Sequence, residues 1–315
     1  MRRNEFIKYL GLTGVGFSVL PTITQCKAAE KPLFFKLSLA QWSIHKMIRE
    51  DNVSPYAFAG LASKWGFTGL EYVSQLYKDV TEAEDGEAAI AAFVAKSKSE
   101  AEKHGMQNVL IMIDNEGYLS TGDAQEREQA IAKHMRWVKA AAAIGCQAVR
   151  VNLSGAENQE EWLTQSVAGL SNLAQQAADY NINVIVENHG GFSSNPNLLM
   201  QVIDTINLPN CGTLPDFGNF CLESDWGGIN SDCPNVYPIY QGVEQMLPKA
   251  FAVSAKAYEF DSQGNESRID FGKMMQLVKA AGYTGFVGVE YEGKKLSEEE
   301  GIQATKKLLE RVGRL

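Results

Sequence analysis

The chain has 315 residues, 45% hydrophobic and 21% charged, with a net charge of -9. An acidic surface repels phosphate backbones, which argues against a nucleic-acid partner, and a chain of this length can bury a large core in one domain. Five cysteines without a CxxC pair exclude a zinc-ribbon pattern, and four histidines leave any metal site dependent mainly on oxygen ligands.

Residues 1–26 read as an export signal. Arg2, Arg3 and Lys8 form a basic start, and residues 10–25 carry no charge and are rich in Gly, Leu, Val and Phe. The start resembles a twin-arginine leader with one residue too many before Phe6. Ile23-Thr24-Gln25-Cys26 resembles a lipoprotein box with an oversized Gln25, and a lipid anchor at Cys26 would follow from it. The expected location is the periplasm, free or membrane-anchored; a disordered cytoplasmic N-terminus is the alternative.

The remainder, 27–315, alternates strand and helix. Residues 33–40 form an apolar first strand ending at Gln41-Trp42-Ser43-Ile44-His45. Ser54-Pro55 starts a helix, capping residue then proline, that stops at Gly66. A second strand, 67–73, carries Glu71. A helix over 86–104 precedes a third strand, 108–113, ending at Asp114. A helix over 123–144 leads to strand 147–153, with Arg150 and Asn152 near its end. A helix over 157–180 precedes strand 183–187, where Val184-Ile185-Val186 runs into Glu187-Asn188-His189-Gly190-Gly191. Helix 196–206, strand 211–216, helix 237–247, strand 251–257, helix 269–281, strand 284–290 and helix 297–312 complete the pattern. Ser297 and Glu300 are spaced as a capping box.

Eight strand-helix units imply an α/β chain folded as a single-domain (β/α)8 TIM barrel. An open doubly wound sheet would want a phosphate-binding glycine fingerprint after the first strand, and residues 39–45 have none. Between Cys221 and Cys233 lies a loop rich in Gly, Asp, Asn and Pro. In an oxidising compartment the pair could close it as a disulfide, or remain two thiols.

Barrel sites gather at the C-terminal ends of strands. Those ends supply Trp42 and His45, Glu71, Asp114, Arg150 and Asn152, Glu187 and His189, Asp216, Ser254 and Lys256, and Glu290. From Glu187 to Asp216 to Ser254 to Glu290 the steps are 29, 38 and 36 residues, about one unit each, so the four side chains can converge. Hard oxygen ligands suit Mn²⁺ or Mg²⁺. His45, Trp42, Glu71, Arg150, His189 and Trp226 are the candidate substrate contacts. His104 is explained by a helix C-terminus and His134 by packing.

From about residue 33 to 312 the chain resembles the xylose isomerase-like barrel superfamily, in its sugar phosphate isomerase/epimerase branch. Gly66-Phe67-Thr68-Gly69-Leu70-Glu71, Ile185-Val186-Glu187-Asn188-His189, Asp216-Phe217-Gly218-Asn219 and Gly285-Phe286-Val287-Gly288-Val289-Glu290-Tyr291 carry the resemblance. It implies a divalent metal held by Glu187, Asp216 and Glu290, with the two glutamates moving protons. The usual histidine position falls on Ser254, a weak ligand, which leaves His189 as a substitute ligand and Lys256 as an electrostatic partner in catalysis.

The expected activity is therefore that of an exported enzyme isomerising or epimerising a carbohydrate through an enediolate, begun by removal of a proton α to a carbonyl. A lyase or hydratase acting on 3-keto-glycosides is the nearest alternative. A non-catalytic carbohydrate-binding barrel using Trp42, Trp226 and Tyr291 is the second. The expected partners are a carbohydrate or keto-sugar and further copies of the chain in a homo-oligomer.

Overall fold

Short buried strands and capped helices alternate along the chain. The strands are β1 (Lys36–Ala40), β2 (Gly69–Val73), β3 (Gln107–Met112), β4 (Ala148–Val151), β5 (Asn183–Glu187), β6 (Cys211–Leu214), β7 (Val253–Ala257) and β8 (Phe286–Tyr291). Each is followed by a principal helix: α1 (Phe58–Lys64), α2 (Gly86–Lys103), α3 (Ala124–Ile144), α4 (Gln159–Ala178), α5 (Pro196–Ile206), α6 (Ile239–Met246), α7 (Phe271–Ala280) and α8 (Glu298–Val312). The computed structural model describes residues 31–229 and 232–314, and Pro32–Leu315 cluster as one unit. The segment expected to be an export signal, 1–26, with its Cys26, lies outside the described residues.

Helix starts follow the polar punctuation of the sequence. Asp85, Asp123, Asn158, Asn195, Asp270 and Ser297 accept backbone N–H groups at the starts of α2, α3, α4, α5, α7 and α8. Such caps contribute about 1 kcal/mol each. Ser297 and Glu300 form the full capping box. Gly145 closes α3 at φ +84, a left-handed conformation that glycine adopts without penalty.

All pairings between neighbouring strands are parallel, in the order β6-β5-β4-β3-β2-β1-β8-β7. The ring closes between β6 and β7 by two isolated bridges, Thr213 with Ala250 and Asp216 with Ser254. Pro215 brings no N–H to this seam, so β6 stops at Leu214, two residues short of the span expected from sequence. The carbonyl of Pro215 still accepts from Ser254 N, and Phe217 N donates to Ser254 O. Every residue of β2, β7 and β8 is buried, as expected of strands sandwiched between a filled interior and a helical coat.

Short elements escaped the sequence pattern. After β1 the chain makes a 3₁₀ turn, Gln41–Ile44, and one helical turn, His45–Arg49, over the barrel mouth. In the loop after β6, Cys221 and Cys233 are joined in a disulfide, while Cys146 and Cys211 are buried free thiols.

Candidate active site

The site starts from the end of β5. Val184, Ile185 and Val186 are fully buried and hold the strand in the barrel wall, so Glu187 is delivered to the mouth while still 1% exposed. Asn188 then ties β5 to the segment after β6. Its Nδ2 donates to Asp216 O (3.0 Å) and Asn219 O (3.1 Å), and its Oδ1 accepts from Asp216 N (2.8 Å). Both Asp216 and Asn219 are thereby placed by one amide. Asn219 in turn joins the acid to the lysine: its Nδ2 donates to Glu187 Oε1 (3.0 Å) and its Oδ1 accepts from Lys256 Nζ (3.0 Å).

Lys256 is 2% exposed at the inner end of β7. Its Nζ lies 3.1 Å from Glu290 Oε1, 3.2 Å from Glu292 Oε1 and 4.0 Å from Asp216 Oδ2. Burial alone would lower its pKa, but the surrounding Asp216, Glu290 and Glu292 outweigh it and hold the ammonium well above its ordinary value. On the opposite side Arg150 is clamped between two acids, with NH1 2.6 Å from Asp114 Oδ1 and Nε 2.9 Å from Glu187 Oε2. Burial pushes Glu187 well above the usual carboxylate range, partly offset by Arg150. Burial also raises Asp216 to about 7, opposed by Lys256.

Glu187, Asp216 and Glu290 each place one carboxylate oxygen within 4.8 Å of the others. Unpaired oxygens in this donor set bear on whether it suits a divalent cation. Asp216 Oδ2 is buried without a hydrogen-bond partner, and Glu187 Oε2 meets Arg150 only as an ion pair out of hydrogen-bond alignment. Buried acids here outnumber the two buried cations, Arg150 and Lys256. Such a surplus of hard oxygen charge fits an oxygen-preferring divalent ion. Ser254 Oγ, 3.5 Å from Glu290 Oε2, stands at the edge of the triad.

The other sequence candidates divide. A cavity of about 410 Å³ is lined by Trp42, Arg150, His189, Trp226, Lys256 and Glu290 among others. His189 is held away from the acidic triad: its Nδ1 lies 2.9 Å from Asn152 Oδ1, and it is not part of the triad's ligand cluster. Burial and the charges of Arg150 and Lys256 push its pKa down, so it faces the cavity as a neutral imidazole. His45 does not line the cavity. It stacks on Trp42 (4.5 Å between centroids), and its Nδ1 lies 2.6 Å from Trp42 O and 3.4 Å from Glu298.

Glu71 is a correction to the expected substrate contacts. It is 1% exposed, accepts from Ser38 Oγ at 2.5 Å, and lies against Gly288, two residues before Glu290 on the same inward face. A Cβ at Gly288 would come within 2.5 Å of its carboxylate oxygens. Glu71 therefore sits one layer deeper than Glu290, where burial raises its pKa to about 8. The missed residues are Asn188, Asn219 and Glu292. Each lies within three residues of a named acid in the sequence, and only the folded geometry distinguishes a bridging side chain from a turn residue.

An eight-stranded parallel barrel with an acidic triad at its mouth defines the class. The profile of the xylose isomerase-like TIM barrel family matches residues 59–312, and the chain belongs to that family. A 3-keto-D-glucoside 4-epimerase from E. coli superposes with a TM-score of 0.61 at 14% identity, over 81% of this chain and 94% of that one. A sugar phosphate isomerase/epimerase from Parabacteroides distasonis gives 0.63 at 14% identity, over 90% and 95%. The alpha subunit of a C-glycoside deglycosidase from Arthrobacter globiformis is 34% identical over 65 residues, 20% of this chain and 18% of the relative.

Proposed function

We propose that the protein is an exported carbohydrate isomerase or epimerase that removes a proton α to a carbonyl and returns one through an enediolate. The observation that carries this reading is the convergence of Glu187 and Glu290, from strands on different sides of the barrel, within 4.8 Å beside a cavity lined by Glu290 and by Lys256, whose Nζ is 3.1 Å from Glu290. One carboxylate takes the proton and the other acid supplies it, a role worth about 10²–10⁴ in rate. Lys256, held by Asn219 and Glu290, places positive charge where the substrate oxygen becomes an enolate. Arg150 keeps Glu187 oriented, and His189 offers a neutral hydrogen-bonding edge to substrate hydroxyls. Mn²⁺ or Mg²⁺, held by Glu187, Asp216 and Glu290 with Ser254 beside them, would polarise the substrate carbonyl as a Lewis acid.

Two features support export and a free rather than phosphorylated sugar. The first is the basic, then uncharged start of the chain; the second is the Cys221–Cys233 disulfide, a bond that persists in oxidising compartments. Elimination from a 3-keto-glycoside is the second reading, favoured by the local similarity to a C-glycoside deglycosidase subunit. It begins with the same proton removal and then expels the group at the β carbon.

Proton NMR in D₂O with 3-keto-glucosides tests both. Deuterium incorporation with the glycoside intact supports epimerisation, release of the aglycone supports elimination, and Glu187→Gln should abolish either. Absence of exchange with free and keto sugars alike would overturn both readings.

A further inference from the structure

A second cavity, of about 760 Å³, adjoins the acidic one. Asp114, Asn115, His189 and Trp226 line both, so the two volumes share a wall. Proton transfer at Glu187 and Glu290 makes no use of the rest of its lining.

Three observations show a built site there. Among the described residues, the two most exposed large apolar side chains are Trp226 (60%) and Tyr118 (52%), and both line this cavity. Large rings left in water forgo the stabilisation that burial brings, so their concentration in one hollow points to an occupant.

His134, on α3, is 3% exposed and lines the same cavity. Its Nδ1 lies 2.7 Å from Ala130 O. A carbonyl only accepts, so Nδ1 carries the proton and Nε2 is left as an acceptor. Nε2 has no hydrogen-bond partner among the described residues and is not a fully buried atom, so the small exposed part of this 3% exposed side chain opens onto the cavity. It suits a hydroxyl donor.

The backbone is shaped to form these walls. Gly155, at φ +118, lets Tyr118 lie across it; a Cβ there would meet Tyr118 Cβ at 2.6 Å. Gly190, at φ +93, lets the carbonyl of Asp225 close onto the end of β5, which carries Trp226 to the shared wall.

We infer that the substrate is a glycoside of at least two rings. The reacting sugar occupies the cavity lined by Glu290, Lys256 and Arg150, and the glycosidically linked ring occupies the second cavity, against Tyr118 and Trp226, with a hydroxyl to His134 Nε2. This assignment rests on the acidic cavity being the sugar site. The chemistry required of the second ring is a flat apolar face with a hydroxylated edge, which a sugar and a phenolic aglycone share. Tyr and Trp bind such rings through their faces while their own polar atoms stay wet.

Calorimetric titration of the full folded chain tests the inference with three probes: the 3-keto forms of methyl glucoside, cellobiose and 4-hydroxyphenyl glucoside. At least one two-ring probe should bind about tenfold or more tighter than the methyl glucoside. The better of the two identifies the second ring as sugar or phenol. Tyr118→Ala, at an exposed position that should not disturb folding, should collapse that ratio towards one. Equal affinity for all three probes, or a Tyr118→Ala variant that keeps the full ratio, overturns the second-ring assignment and leaves the acidic cavity as a one-ring site. Binding of none of the three overturns the sugar site itself.

Discussion

Replacing Lys256 with methionine keeps the volume of the side chain and removes its charge. The ammonium is 2% exposed and is shared by Glu290 at 3.1 Å, Glu292 at 3.2 Å, Asp216 at 4.0 Å and the Asn219 carbonyl oxygen at 3.0 Å. Its loss leaves buried carboxylates facing one another without their common cation. Removing one partner of a buried pair costs about 3–5 kcal/mol. In a domain of this size each kcal/mol is about 2–4 °C of melting temperature, so the variant should melt roughly 6–20 °C lower in chelator. Added Mn²⁺ should recover part of that loss, since a divalent charge among Glu187, Asp216 and Glu290 relieves the same repulsion. Exchange of the substrate α-proton should fall about 10²–10³-fold, the usual cost of losing one preorganised charge at a developing oxyanion. Circular dichroism melts with and without chelator, alongside NMR exchange rates, measure both effects. A variant with unchanged melting in chelator and turnover within about twofold of the parent would refute the central role of Lys256.

Three further outcomes follow from the geometry. His134 is buried, which pushes its pKa down to about 4 against the opposing pull of Ala130 O and Asp114, with Lys133 adding to the fall. Unfolded, it titrates near 6.5, so the unfolded chain binds the extra proton first. The fold should lose about 3 kcal/mol as pH drops from about 6.5 to about 4. Urea unfolding across that window should show a shallower loss in His134→Phe, and equal slopes would count against the assignment. Serine at both Cys221 and Cys233 opens a loop with a sequence separation of 12. It should cost about 3 kcal/mol, read as a lower urea midpoint, with KM raised more than kcat because the loop carries Trp226. In Gly190→Ala, at a backbone φ of +93, the new methyl must displace the Asp225 carbonyl. Backbone strain alone costs about 1–3 kcal/mol, and a melting temperature equal to the parent's would contradict it.

The barrel was legible because its signals are local. Ser297 with Glu300, Asp123, and the proline at 196 each mark a helix start within a few residues, and Val184-Ile185-Val186 can only be a buried strand. The ends of strands could therefore be read off, and with them Glu187, Asp216, Lys256 and Glu290. Pairing was not legible. Arg150 and Asp114 lie 36 residues apart and nothing in either neighbourhood announces a 2.6 Å contact. Glu71 misled because strand position gives depth only to about one residue pair, and its layer is set by the missing side chain of Gly288 on β8, just beyond the intervening β1. Trp42 and His45 belong to two successive turns, each too short to show a period. Tyr118 drew no notice, since one tyrosine in a polar loop has no pattern around it.

The seam between β6 and β7 has a kinetic corollary. Its two bridges, interrupted at Pro215, are the thinnest stretch of the ring's ladder, and one of them pairs Asp216 with Ser254. Amide hydrogens at Phe217 and Ser254 should exchange with solvent deuterium ahead of those in β5 or β8, because a local opening there breaks few bonds. The same fluctuation would move Asp216 relative to Glu290. The rim that carries the acids is thus also the place where the cylinder can momentarily unzip.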